Sequence, residues 1–174
     1  MPYKIIVIVI CMLYSYNSAA TDNFSIYLVR HAEKQQNLVN GEKNKNPSLT
    51  SCGELRAKQL AKLLTSANIE NIYSTSYHRT MKTAGPLANE HQLAIKSYNP
   101  KHLEQFALQL KQRKQNSLVV GHSNTTPILT ELLSATKVEP LSEDDYQALY
   151  LVQFVGGEQV LTKLTQPLIC NKAK

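Results

Sequence analysis

The 174-residue chain lacks any apolar stretch of membrane-spanning length; its amino-terminal run, Ile5–Leu13, is too short to cross a bilayer as a helix. It also lacks a Cys-x-x-Cys pair or a His/Cys cluster at ligand spacing, which removes a structural zinc site. Lys and Arg give a net charge of +6 but are scattered, without a basic stripe or interleaved aromatics. That pattern argues against a nucleic-acid partner, and the surplus suits attraction of anionic substrates instead. No repeat, linker or low-complexity segment divides the chain, and its length fits one domain. What is present is a hydrophobic content of 43%, enough for an ordinary core.

The first twenty residues read as a secretory signal peptide. Lys4 supplies the positive start, Ile5–Leu13 the apolar segment, and Ser18-Ala19-Ala20 the small residues before cleavage. The expected mature domain is 21–174, exported to the periplasm or the medium, without stable membrane insertion after cleavage. Removing the signal removes Cys11 and leaves Cys52 and Cys170. A disulfide between them and a pair of buried thiols are both open readings.

Short β-rich runs alternate with helical stripes. Phe24–Val29 is the first strand, with further strands expected at Ile69–Tyr73, Leu93–Ser97 and Ser117–Gly121. Ser51-x-x-Glu54 has capping-box spacing, and Ala57, Leu60, Ala61 and Leu64 follow it as a core-facing stripe. Thr80, Ala84, Leu87 and His91 share a second helical face, which Pro86 is expected to kink. Leu103, Phe106, Ala107 and Leu110 form a third stripe, and Pro127 opens a fourth helix behind a Thr126 cap. Leu149–Val155 and Gln159–Leu164 flank Gly156-Gly157, a hairpin signal. The alternation predicts an α/β fold with a mainly parallel sheet and helices on both faces. Between the first strand and the first helix, the polar loop Gln35–Ser48 reads as mobile and placed to cover a site.

Chemistry gathers at the predicted strand ends, where ligands bind in open α/β sheets. Arg30-His31 follows the first strand, Ser74, Ser76 and Arg79 the second, and His122 the fourth. Two guanidinium groups bind a phosphate bidentately and stay charged. A nucleophilic histidine needs one free ring nitrogen, fixed by a hydrogen bond to the other. A second histidine can stabilise an equatorial oxygen in the transition state.

Leu28-Val29-Arg30-His31-Ala32-Glu33-Lys34 resembles the Arg-His-Gly motif of the histidine phosphatase superfamily, the phosphoglycerate mutase-like proteins. Leu49-Thr50-x-x-Gly53-x-x-Arg56-Ala57, Tyr73-Ser74-x-Ser76-x-x-Arg79-Thr80-x-x-Thr83-Ala84 and Val120-Gly121-His122 resemble its later motifs, in the family's order. The likeness is to the small, exported, branch-1 type. It implies a three-layer sandwich and a phosphatase in which His31 is phosphorylated and Arg30, Arg79 and His122 complete the phosphate pocket. Asn37 matches the family's phosphate-contacting Asn in position. The resemblance implies a small phosphorylated substrate and no metal or organic cofactor.

One departure stands out. Many relatives carry a carboxylic acid after the third strand to protonate the leaving oxygen, and this chain has Asn99 there. Glu33 and Glu104 are the candidate substitutes. The compact chain lacks the insertions of larger mutases, which favours hydrolysis over mutase activity. Three functions follow: an exported phosphomonoesterase acting on envelope or extracellular compounds, a SixA-type phosphohistidine phosphatase, or a non-catalytic phosphate-binding module.

Overall fold

The computed structural model describes residues 23–36, 38–39 and 42–168. Residues 1–20, read above as a signal peptide, lie outside the described residues, as do Asn37 and Cys170. In chain order the elements are β1 (Phe24–Arg30), β2 (Leu38–Val39), β3 (Glu42–Lys43), α1 (Ser51–Leu64), β4 (Asn71–Ser74), α2 (His78–His91), β5 (Ile95–Ser97), α3 (Leu103–Arg113), β6 (Ser117–Gly121), α4 (Thr126–Ser134), β7 (Ala148–Val155) and β8 (Glu158–Thr165).

Six strands form one sheet in the order β5-β4-β6-β1-β7-β8. The first four in that order are parallel; β7 joins β1 antiparallel, and β8 returns antiparallel beside β7 through Gly156-Gly157. Both glycines have positive φ, 62° and 91°, as a tight hairpin requires. Successive side chains of β1 face opposite layers, following the strand period of two. Phe24, Ile26 and Leu28 enter the core beneath α3 and α4, with Phe106, Leu110, Leu129 and Leu133. Tyr27 and Val29 face the core beneath α1 and α2, with Leu60, Leu64, Ala84 and Leu87. The three-layer α/β sandwich expected from the sequence is therefore the observed fold. Ile26 and Leu28 are fully buried, each contributing roughly 1.5–3 kcal/mol of transfer free energy.

Several local details differ from the sequence reading. The cap of α1 is Thr50, one residue earlier than the Ser51-x-x-Glu54 spacing suggests, and its Oγ1 accepts from Gly53 N at 3.0 Å. Thr50 wins because its N–H also donates to Glu33 O at 2.9 Å, docking the exit of β1 onto the start of α1. A Cβ on Gly53 would collide with that same Glu33 carbonyl oxygen, so this close approach needs glycine. α4 begins at Thr126 instead of being capped by it. The hydroxyl of the flanking Thr125 is turned back, accepting from His122 N at 3.1 Å.

α2 continues through Pro86 as one helix of 14 residues. Burial of Thr83, Ala84, Leu87 and Ala88 holds the helix across the hydrogen bond that proline cannot make. The Gln35–Ser48 segment contains the β2–β3 pair and is closed at its base, where Gln35 N donates to Ser48 O at 2.9 Å. Cys52 is disulfide-bonded.

Candidate active site

Three neighbouring parallel strands, β4, β6 and β1, end at the same edge of the sheet, and the predicted site residues leave from those ends. Arg30 is the last residue of β1 and His31 follows it. Gly121 is the last residue of β6 and His122 follows it. Thr75 follows β4, and Arg79 stands in the first turn of α2. The registers Arg30↔Gly121 and Ser74↔Val120 bring these ends level. A Cβ on Gly121 would lie 2.9 Å from both Thr126 Oγ1 and Tyr98 Oη, so the chain turns here where a side chain would not fit.

His31 is 2% exposed, and its Nδ1 lies 2.8 Å from Ala32 O. A carbonyl only accepts, so Nδ1 carries the proton and Nε2 keeps its lone pair. The Ala32 segment is held in turn, its N–H donating at 2.9 Å to Thr83 Oγ1, which donates at 2.7 Å to Arg79 O. Burial pushes the His31 pKa down to about 3, helped by the charges of Arg30 and Arg79 and by His122; the Ala32 bond opposes this. His31 is thus neutral and available as a nucleophile across the physiological range.

The His122 ring lies edge-on to that of His31, with centroids 5.5 Å apart. Arg79 Nη2 is 3.5 Å from its Nδ1, and Thr75 Oγ1 is 3.0 Å from its Nε2. Because a guanidinium only donates, Nδ1 is the acceptor and Nε2 carries the proton toward Thr75. Burial lowers the His122 pKa to about 4, with Arg79, Lys34 and Arg30 adding to the shift.

Arg79 lies over the Tyr77 ring, its Cζ 4.3 Å from the centroid, and burial lowers its pKa. Arg30 is buried deeper, at 2% exposed, with Cζ 4.2 Å from the Tyr146 ring. Its Nη1 donates to Ser142 O at 2.8 Å, and its Nη2 donates to Glu143 Oε2 at 3.1 Å. The Nε atoms of Arg30 and Arg79 are both buried without a hydrogen-bond partner among the described residues. Buried donors of this kind ordinarily find partners; Arg79 lines a cavity of about 550 Å³ together with His31, His122, Ser123 and Glu143, and Arg30 lies behind that Glu143. An adjoining cavity of about 660 Å³ shares Lys34, Arg79 and Glu143 and extends toward Gln35, Asn44 and Tyr146. The pair suits a small anion beside His31, with room for the group attached to it.

Of the sequence candidates, Arg30, His31, Arg79 and His122 converge as expected. Glu33 does not join them. Its carboxylate is clamped by buried Arg56, which donates from Nε at 3.1 and 2.9 Å and from Nη2 at 2.6 Å. Glu33 lines neither cavity, and its place is structural: it ties the exit of β1 to α1. Asn37 lies outside the described residues. Glu104 is exposed on α3, away from both cavities. Glu143, Tyr146, Tyr77, Thr75 and Ser123 were not singled out as site residues. Glu143 and Tyr146 fall in the segment between α4 and β7, whose path depends on tertiary packing. Tyr77 and Thr75 had a signal, since both lie within the Tyr73–Ala84 motif. Among the described residues no group of His, Cys, Asp and Glu is placed to hold a metal ion.

An α/β sandwich with two histidines and two arginines at the carboxyl edge of its parallel strands defines a class of anion-handling protein. Residues 26–99, which carry Arg30, His31 and Arg79, match the family model of the histidine phosphatase superfamily, branch 1. Solved structures extend the likeness of fold beyond it. The protein histidine phosphatase SixA complexed with tungstate is 14% identical with a TM-score of 0.64, the match covering 81% of this chain and 96% of that one. The alpha-ribazole phosphatase from Shigella flexneri is 16% identical with a TM-score of 0.66, covering 86% of this chain and 100% of that one. Phosphoserine phosphatase from Entamoeba histolytica, in complex with 3-phosphoglyceric acid, is 17% identical with a TM-score of 0.56, covering 82% and 97%. No curated protein sequence matches the chain.

Proposed function

We propose that the protein is a phosphatase that hydrolyses phosphomonoesters through a covalent phosphohistidine on His31. The superfamily match supports phosphatase activity. The observation that carries the covalent step is the His31 ring, with its proton pinned on Nδ1 by Ala32 O and its Nε2 lone pair left free beside unpaired guanidinium donors. Nε2 attacks phosphorus as the bond to the leaving oxygen breaks, and water then attacks the phosphoryl group on His31. Arg79 and Arg30 neutralise the equatorial oxygens without changing protonation state. His122, neutral in the resting site, takes a proton once an anion offsets its arginine neighbours, and then donates to an equatorial oxygen. The resemblance assigns a further phosphate contact to Asn37, which lies outside the described residues. No metal is required, because the guanidinium groups supply the positive charge that a metal would otherwise bring to the phosphoryl oxygens.

The substrates are small phosphorylated compounds of the envelope or the surrounding medium, reached after export behind the 1–20 signal. A second reading, dephosphorylation of phosphohistidine on a protein, draws on the likeness to SixA over nearly all of that chain. The test is acid-quenched wild-type protein after brief exposure to a labelled aryl phosphate. Acid-labile, base-stable phosphate on His31, absent from His31→Ala, is the expected result. A variant lacking His31 that keeps more than about a tenth of the turnover overturns the assignment, because loss of a nucleophile costs several orders of magnitude. Activity that EDTA abolishes and only a divalent cation restores overturns the metal-free route. A panel of sugar phosphates, nucleotides and phosphohistidine peptides separates the two substrate readings. No turnover of any of them supports a non-catalytic phosphate-binding module.

A further inference from the structure

Departure of an ester oxygen needs a proton, and the sequence position expected to supply it holds Asn99. The Asn99 side chain is exposed, its Oδ1 accepts from Lys101 N at 3.0 Å, and it does not line the cavity beside His31. Glu33 is clamped by Arg56, and Glu104 lies on an outer helix face. Among the residues that line the His31 cavity, Glu143 is the single carboxylate. Asp144, next to it, lines only the adjoining cavity.

Resting on the phosphatase reading above, we propose that Glu143 is the acid–base residue of the reaction, delivered when the substrate phosphoryl group displaces it from Arg30. The resting contacts describe that exchange. Glu143 Oε2 accepts from Arg30 Nη2 at 3.1 Å, so the carboxylate occupies the guanidinium edge that a phosphoryl oxygen needs. Its Oε1 accepts from Ser123 Oγ at 2.6 Å, and Ser123 directly follows His122 and lines the same cavity. Arg30 itself cannot follow a departing carboxylate. Its Nη1 is held by the carbonyls of Ser142 and Asp145, and its plane lies against Tyr146. The Glu143 side chain is 74% exposed, so it can swing and exchange protons with solvent. The Ser123 bond does not depend on Arg30, and it keeps the freed carboxyl at the cavity mouth.

Electrostatics reverse in the same exchange. The charged and titratable groups facing Glu143 are Arg30 and Lys34 from the end of β1, Arg79 on α2, His122 after β6 and Tyr146 on its own segment. In the resting site the Ser123 bond and the Arg30 and Lys34 charges hold the carboxyl below the usual carboxylate range. A bound phosphoryl dianion takes over the Arg30 contact and places negative charge beside Glu143, so the carboxyl takes a proton from solvent. In the first step the Nε2 lone pair of His31 forms the N–P bond. The P–O bond breaks, its electron pair stays on the leaving oxygen, and that oxygen takes the Glu143 proton to depart as an alcohol. In the second step Glu143 takes a proton from water as the water oxygen attacks phosphorus. The N–P bond breaks, its electrons return to Nε2, and inorganic phosphate leaves with Glu143 protonated again.

The experiment is single-turnover phosphorylation and dephosphorylation across 4-nitrophenyl, phenyl and ethyl phosphate, in wild type, Glu143→Gln, Asp144→Asn and Glu104→Gln. Glu143→Gln should lose roughly 100-fold more phosphorylation rate on ethyl than on 4-nitrophenyl phosphate, and its phosphoenzyme should hydrolyse at least roughly tenfold more slowly. Vanadate should bind this variant more tightly, because a competitor for Arg30 is gone. Glu104→Gln should match wild type. Equal loss on all three esters, or selective loss in Asp144→Asn with Glu143→Gln spared, overturns the assignment while leaving the phosphatase reading intact. Absence of phosphoenzyme in wild type with every ester overturns both.

Discussion

The two site histidines are unusual residues to bury beside arginines, and the protonation they avoid has a measurable consequence. His31 and His122 titrate near 3 and 4 in the folded protein, against about 6.5 in an unfolded chain. Between those values the unfolded state binds more protons, so stability rises with pH through the window. The contribution is fully present above about pH 6.5 and is lost as pH falls toward 4 and below. The melting temperature of the free protein should therefore drop from pH 7 to pH 4.5, and saturating phosphate should flatten the drop by favouring protonated His122. A His31→Asn/His122→Asn double variant with the wild-type slope would show that other groups set the dependence. Arg79 invites a second measurement. Arg79→Lys keeps the charge but not the fork that grips two oxygens, and a charge-assisted hydrogen bond contributes about 1.5–3 kcal/mol. Vanadate affinity should fall roughly 10- to 100-fold, with turnover falling alongside. Wild-type affinity in Arg79→Lys would mean that this guanidinium does not reach the anion.

Among the elements, the turn from β6 into α4 has the least room to spare. His122 is held there by Thr125 Oγ1 on its N–H, while its own carbonyl accepts from Thr125 N and Thr126 N. Tyr98 stacks on Phe106 with centroids 4.4 Å apart, so its hydroxyl has little freedom to retreat from a new Cβ at Gly121. Gly121→Ala should cost about 1–3 kcal/mol by overpacking, several degrees in melting temperature, and should reduce turnover by shifting His122. Gly85→Ala, in mid-α2, should bring none of the usual helix gain, because the ring of the following Pro86 crowds a Cβ on a helical residue before it. The same turn marks how far sequence legibility reached. Val120-Gly121-His122 was readable because a buried strand and its terminal histidine are local features, as were β1, the α1 stripe and the Gly156-Gly157 hairpin. The Thr125 hydroxyl's choice of His122 over capping α4 was not local. Neither was Thr50's displacement of Ser51 as a cap, decided by Glu33 seventeen positions upstream. Arg30 and His31 were legible as an anion site. Their partners Glu143 and Tyr146 were not, because more than a hundred residues separate them in the chain and only the packing of the segment before β7 joins them.

At the scale of the whole molecule, the net charge of +6 and the open site suit an enzyme that meets anionic substrates, and the covalent framework bears on where it does so. Cys52 is disulfide-bonded in the first turn of α1. Disulfides persist in oxidising compartments, which is where the expected signal would send the chain. If cleavage follows Ala20, Cys11 leaves with the signal, and Cys170 is the remaining cysteine of the mature chain. The described carboxyl-terminal end already touches α1, with Leu168 N donating to Gln59 Oε1 at 3.2 Å. A Cys52–Cys170 bridge would close a loop of more than 100 residues, stabilising by roughly 4–5 kcal/mol in the chain-entropy account. The exported protein should therefore begin at Thr21 and show no free thiol under denaturing, non-reducing conditions. Reduction should lower its melting temperature by about 10 °C, since each kcal/mol moves a domain of this size by a few degrees. Cys52→Ala should melt at that lower temperature with or without reductant. Two free thiols in protein recovered from an oxidising compartment, or a melting temperature indifferent to reduction, would remove the bridge and with it this argument for export.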